Sequence, residues 1–193
     1  MAISMILAAD EYGGIGYNND LPWPRIDLDM RWFMDHTKDN VVVMGSRTWD
    51  SLGIHKPLKN RINYVISSQD FKKFEGAYDS YDPRQYSLES IALSIASRHP
   101  KKEIFIIGGK TLYDLAYKFA DKVYLTRVEG THTVDTTVDI ETYLEHFKCL
   151  QRIKHVNPYP QPHCQFEIWE KLEHIRQQQD PSHNQWGHWG QPA

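Results

Sequence analysis

The carboxylate of Asp29 is the group in this chain whose neighbours most favour chemistry. Met30, Phe33, Met34 and Thr37 repeat at the i, i+3, i+4, i+7 spacing of one helix face, so Asp29 borders a largely apolar stripe. Burying a carboxylate there is costly unless it is paired or hydrogen-bonded. Such a group is driven toward neutrality and suits a cationic or amidine-like ligand. Asp27 lies two positions earlier, roughly 200° away around a helix. It reads as an exposed first-turn acid favoured by the helix dipole.

A second chemistry is suggested by two turns that leave backbone N–H groups free for a phosphate. At Met44-Gly45 an apolar run passes into the helix-like Ser46-Arg47-Thr48, where Arg47 and Thr48 add side-chain donors. At Gly108-Gly109 the missing Cβ atoms let another backbone or a pyrophosphate approach closely. Either turn alone is also what an ordinary strand-to-helix connection looks like. Gly109-Lys110-Thr111 imitates the end of a P-loop, but the glycine that motif requires five positions earlier is Ile104. No GxGxxG with a following acid is present, so a Rossmann dehydrogenase is not indicated either.

The elements that must position these groups alternate in type. Apolar runs at 3–9, 41–44, 62–67 and 104–107 are rich in β-branched residues and suit strands covered on both faces. Helix-like stretches at 27–37, 46–52, 88–97 and 111–119 separate them, and 123–128 and 165–169 read as further strands added antiparallel at an edge. The expected architecture is an α/β single domain over 1–172. It has a central, mostly parallel twisted sheet, an antiparallel C-terminal strand and flanking helices.

From about Gln177 the sequence turns to Gln, Asn, His, Pro, Gly and Trp, which predicts a flexible polar tail over 173–193. In it Trp186 or Trp189 could serve as an anchor, and His183 and His188 alone make weak metal ligands. With 22 Lys and Arg against 25 Asp and Glu, there is no broad basic field for nucleic acid. The apolar start, residues 1–9, is too short for a membrane span and reads as a buried strand. Cys149 and Cys164 are far apart and form no CxxC pair, which fits a reducing cytoplasm.

Taken in order, a set of short matches resembles the dihydrofolate reductase family. They are Ile15-Gly16, Leu21-Pro22-Trp23, and Asp29 with Met30, Trp32 and Phe33. Then come Val41 to Gly45 with Arg47-Thr48-Trp49 and Ser51, Pro57-Leu58 and Arg61, Ser67-Ser68, Ile107-Gly108-Gly109, Tyr113, Thr126 and Asp135-Thr136. The resemblance spans about residues 3–170. It implies hydride transfer from NADPH to 7,8-dihydrofolate, no metal, no nucleic-acid or membrane partner, and a monomer.

The resemblance also implies roles. Asp29 and the Thr126 hydroxyl would hold the pterin amidine, with Leu21 and Trp23 beside them in the catalytic group. Ile6, Ala8, Met30, Phe33, Leu52, Leu58 and Ile107 would wall the substrate pocket. Arg61 would hold the glutamate carboxylate. The cofactor would lie against Ala8, Ile15, Gly16, Gly45, Ser46, Arg47, Thr48, Ser67, Ser68, Ile107, Gly108, Gly109, Lys110, Thr111, Leu112, Tyr113 and Thr136. In this family the two glycines are joined by a cis peptide.

The loop from about Asp10 to Pro24 has the glycines of a closing lid, or equally of a static turn. Three positions depart from the family pattern. Ser46 stands where a basic residue commonly grips the 2′-phosphate, leaving Arg47, Ser67 and Ser68 to substitute. Asn60 replaces a glycine, and the spacing from Trp23 leaves Asp27 as a competitor of Asp29. A riboflavin-pathway type of reductase, or a non-catalytic folate- or nucleotide-binding protein on the same fold, remain the alternatives.

Overall fold

The computed structural model describes residues 2–173, and the polar tail with His183, Trp186, His188 and Trp189 lies outside the described residues. Among the described residues, ten strands and five helices follow one another. They are β1 (Ile3–Ala9), β2 (Gly14–Gly16), α1 (Asp27–Thr37), β3 (Val41–Gly45), α2 (Ser46–Ser51), β4 (Ile62–Ile66), β5 (Asp79–Tyr81) and α3 (Leu88–Arg98). After them come β6 (Ile104–Ile106), α4 (Lys110–Ala116), β7 (Lys122–Val128), β8 (Thr136–Thr137), α5 (Ile140–Leu144), β9 (Phe147–His155) and β10 (Cys164–Lys171).

Eight strands form one sheet in the order β5-β4-β3-β6-β1-β7-β10-β9, and β2 pairs with β8 in a separate ribbon. All pairs from β5 to β7 are parallel, while β10 runs antiparallel to both β7 and β9. The continuous apolar runs are buried on both faces, as crossover helices require. Along β3, Val41 and Val43 join one core cluster with Ile91, Ile95 and Leu112 of α3 and α4, whereas Val42 and Met44 join another with Trp49, Trp32 and Phe33 of α2 and α1. The two faces therefore carry different helices, and the residues that end each parallel strand share one edge of the sheet.

Two expectations about the sheet need correction. Residues 123–128 are not an antiparallel edge strand: β7 lies inside the sheet and pairs in parallel with β1. The edge beside β10 is β9, whose residues are mostly exposed and so carry no apolar run that sequence patterning could find. The fourth helix starts at Lys110 and ends at Ala116, short of Phe119.

Candidate active site

Helix α1 brings Asp29 to the end of the sheet, and the helix register decides which acid is buried. Asp29 is 6% exposed. The Asp27 side chain is 63% exposed and is bonded by Arg25 Nε and Gln161 Nε2. Asp29 Oδ1 accepts a 2.7 Å hydrogen bond from the buried Thr126 hydroxyl on β7. Burial pushes the Asp29 carboxyl above its ordinary range, and the Thr126 bond opposes part of that rise.

Ala8 of β1 is the register partner of Thr126. It packs with Leu28, Trp32, Ile26 and the buried Trp23. Trp23 Nε1 has no hydrogen-bond partner among the described residues, which makes it a donor for water or ligand. Trp32 stacks on Phe166, with centroids 4.7 Å apart, and closes the cluster from β10.

The expected substrate wall is brought together mainly in the second core cluster. Ile6 and Ile107 are buried there, and Phe33, Leu52 and Leu58 pack against it while staying partly exposed. Met30 is half-buried on α1, one residue beyond Asp29. Arg61 sits 6.0 Å over the Phe33 ring and donates to Thr37 Oγ1 at 3.2 Å, so its guanidinium is held at the far end of this wall from Asp29. Burial lowers the Arg61 pKa without changing its charge state near neutrality. Asn60 adopts the left-handed conformation, with φ of 59°, at the position where the resemblance led us to expect glycine.

A cavity of about 700 Å³ runs along the C-terminal edge of the strands. Its lining includes Ala8, Ile15, Gly16, Leu21, Gly45, Ser46, Arg47, Thr48, Ile107, Gly108, Gly109, Lys110, Thr111, Leu112, Tyr113 and Thr136. Neither α2 nor α4 has a side-chain cap, so their first N–H groups remain available to an anion. Gly108 and Gly109 are joined by a cis peptide. Gly108 has φ of 112°, and a Cβ there would lie 3.1 Å from the Tyr113 hydroxyl, which is itself bonded to Ile6 O.

Ser67 and Ser68 are not brought into this wall. Ile66 lines the cavity instead, Ser67 Oγ accepts from Gln69 N, and Ser68 is exposed. Lys110 Nζ is bonded to Asp114 at 2.9 Å. Arg47, by contrast, has no hydrogen-bond or ion-pair partner among the described residues. The cavity also includes residues that sequence reasoning did not single out: Tyr17, Asn19, Asp20, Pro83, Tyr86, Ser87, Leu88 and Leu115. They lie in turns and on helix surfaces with no motif to mark them.

The loop between β1 and α1 is clamped at its base. Buried Asp10 accepts from the backbone N–H groups of Tyr12, Gly14 and His132. Gly13, at φ of 77°, leaves no room for a side chain, since a Cβ would lie 2.1 Å from Val138 O. Farther out, Asn18 N donates to Asp135 Oδ2 and Asp135 N to Gly16 O. The glycines at 13 and 14 thus serve a fixed turn, and the exposed tip around residues 17–21 borders the cavity.

With this geometry in place, comparison with known proteins is unambiguous about kinship. The model of the dihydrofolate reductase family matches residues 2–171. A dihydrofolate reductase of Buchnera aphidicola from Acyrthosiphon pisum is 34% identical over 163 residues, covering 82% of this chain and 94% of that protein. The type 9 dihydrofolate reductase of Escherichia coli is 33% identical, with 74% and 78% covered. Among solved structures, an Enterococcus faecalis dihydrofolate reductase complexed with NADP(H) and RAB-propyl superposes with a TM-score of 0.73. It covers 88% of this chain and 96% of that one at 24% identity, a likeness of fold. The chain belongs to the dihydrofolate reductase family.

Proposed function

We propose that the chain reduces 7,8-dihydrofolate to tetrahydrofolate by hydride transfer from NADPH. The observation that carries this reading is the buried Asp29–Thr126 pair beside a cavity with two uncapped helix starts, in a chain the family model matches from end to end of its described fold.

The pair is one carboxylate and one hydroxyl in fixed geometry. It suits an amidine edge, which donates two parallel N–H bonds to a carboxylate. Asp29 raises the proton affinity of the bound pterin through its negative charge. A carboxylate holding the amidine does not reach the far ring nitrogen, so a water is the immediate proton donor. The unpartnered Trp23 Nε1 is a suitable donor for holding such a water. Arg61, anchored on Thr37 and Phe33, takes the glutamate carboxylate.

The cavity fits a dinucleotide phosphate in its chemistry. The first-turn N–H groups of α2 from Ser46 and of α4 from Lys110, the Thr48 hydroxyl and the unpaired Arg47 supply donors along one edge. When bound, NADPH supplies the hydride. The loop tip with Leu21, and the walls Ile15 and Ile107, exclude water from the reacting face.

No described helix is long and apolar enough to cross a membrane. We place the protein in the cytoplasm, where its unpaired Cys149 and Cys164 stay reduced. The test is NADPH oxidation followed at neutral and mildly acidic pH, with and without dihydrofolate. Protein that binds both ligands without turnover would be a non-catalytic member of the fold.

A further inference from the structure

The connection from β7 to β8 returns against the loop between β1 and α1 and carries one imidazole to it. Gly130, at φ of 92°, makes the turn; its N–H donates to Glu11 Oε1 at 3.0 Å and its carbonyl accepts from Glu11 N. His132 N then donates to the buried Asp10 carboxylate at 3.1 Å. Thr131 and Thr133 on either side are exposed, whereas the His132 side chain is only 17% exposed. The ring is packed against the loop rather than left in solvent.

Two groups from opposite ends of that loop meet the ring. At its start, Asp10 Oδ2 lies 3.5 Å from His132 Nδ1, near enough for charge attraction but too poorly disposed for a hydrogen bond, so Nδ1 has no hydrogen-bond partner among the described residues. Toward its end, the Trp23 indole has its centroid 5.5 Å away and its plane at 69°, an edge-on pair. Of the other acids in the two loops, Glu11 is taken by Gly130 N and Glu129 pairs with Lys154 at 3.9 Å. Asp10 is therefore the charge that holds the imidazole.

Trp23 is buried, and Ile26, Val128, Cys164 and Phe166 cluster with it. Apolar packing of this kind is non-directional: it confines the indole without choosing where the N–H points. An edge-on ring tied to a buried carboxylate does choose, because it fixes the tilt of the indole plane. Trp23 Nε1 has no partner among the described residues, so that tilt sets the direction in which the donor is offered.

We propose that His132, tethered by Asp10 and set edge-on to Trp23, is a positioning residue for proton delivery: it aims Trp23 Nε1–H at the water that protonates the substrate. This role rests on the reduction of dihydrofolate proposed above. In that reaction the C=N bond takes hydride at carbon, leaving NADP+, and a proton from the water at nitrogen, and the water regains its proton from solvent. Replacing the His132 side chain leaves the backbone bond from this position to Asp10 in place, so the effect of the ring is separable from the clamp at the loop base.

The test uses the full chain and its His132→Ala and His132→Phe variants, with single-turnover NADPH oxidation at saturating dihydrofolate followed from mildly acidic to mildly alkaline pH. His132→Ala is expected to slow the reaction about tenfold at the alkaline end, within the hundredfold that about 1 Å of misplacement costs. At the acid end, where substrate protonates unaided, it approaches wild type. The Kd values for NADPH and dihydrofolate stay within about twofold of wild type. His132→Phe keeps an aromatic edge without the tether and falls between the two. Independently of turnover, the Trp23 indole N–H resonance, assigned by its loss in Trp23→Phe, shifts in His132→Ala. An equal loss at every pH, a wild-type rate throughout, or an unmoved Trp23 resonance overturns the role, because the imidazole would then do no more than stabilise the loop. Should His132→Ala fail to fold, His132→Phe is read the same way: a loss confined to the alkaline end supports the role, and a flat profile overturns it. Wild-type protein that binds both ligands without turnover overturns the reductase reading and this role together.

Discussion

The Thr126 hydroxyl donates to Asp29 Oδ1 at 2.7 Å, joining β7 to α1 across a sequence separation of 97 residues. The contact leaves the second carboxylate oxygen of Asp29 without a hydrogen-bond partner among the described residues and fixes the plane in which an amidine can bind. Asp29→Asn keeps this shape and removes the charge. Turnover should fall by about two to four orders of magnitude and recover in part at acid pH, where substrate protonates unaided. Asp27→Asn, at an exposed carboxylate, should stay near wild type. Steady-state assays of both variants against pH decide the matter, and a reversed ranking would sink the assigned helix register.

The same burial has a cost in stability, and its sign can be worked out. The folded Asp29 carboxyl titrates above its ordinary value of 3.8, so the folded state holds more protons than the unfolded state as pH rises through that window. Stability from this group is therefore lost with rising pH and stays lost above the folded pKa. Ligand-free Asp29→Asn should melt higher than wild type at neutral pH, by about 2–4 °C for each kcal/mol relieved. The difference should shrink toward pH 3. A neutral-pH melting temperature below wild type would contradict the assignment.

Much of this site was legible because it rests on local periodicity. The register of Met30 and Phe33 placed Asp29 inward, and the apolar runs of β1, β3, β4 and β6 located a parallel sheet. Other parts rest on long-range pairing that leaves no local trace. β9 is exposed along most of its length, and β7 pairs in parallel with β1, so neither position in the sheet was visible in composition. Ser67 was expected at the cofactor on resemblance alone, yet it is Ile66 that lines the cavity, while Ser67 Oγ accepts from Gln69 N in the turn that follows. Tyr86 was missed because a tyrosine in a polar turn looks like ordinary surface.

Arg47 carries the next prediction. Ser46 supplies no charge, Ser67 and Ser68 stand outside the lining, and the Arg47 guanidinium is unpaired at the cavity. A charge-assisted bond to a phosphate contributes about 1.5–3 kcal/mol. Arg47→Ala should therefore lower the preference for NADPH over NADH by about ten- to a hundredfold, seen as a ratio of kcat/KM values. An unchanged ratio would transfer the phosphate to another group.

Asp10 offers a purely structural test. Its buried carboxylate satisfies three backbone donors at the base of the loop that leads to Trp23. Asp10→Ala leaves those N–H groups without their acceptor and should cost about 3 kcal/mol, or about 6–12 °C in melting temperature. Asp10→Asn, with one acceptor oxygen, should fall between. Limited proteolysis should show the first cut in the loop from residue 10 to 24. A variant that melts like wild type would show that the backbone bonds of the loop base, such as Asp10 N to Gly14 O and Val138 N to Gly13 O, hold it without the carboxylate.

Asp121 gathers both margins of the described fold. Its carboxylate accepts from Ile3 N, its N–H donates to Ile3 O, and its carbonyl accepts from Lys171 N. The start of β1 and the finish of β10 are thus moored to one residue, at the sheet edge opposite the cavity. Both margins therefore lie at the edge of the sheet away from the ligand channel. A short splice between the two margins would have little distance to cover, so the backbone is well disposed to be reopened elsewhere, in an exposed turn, without disturbing the strand ends where the ligands sit.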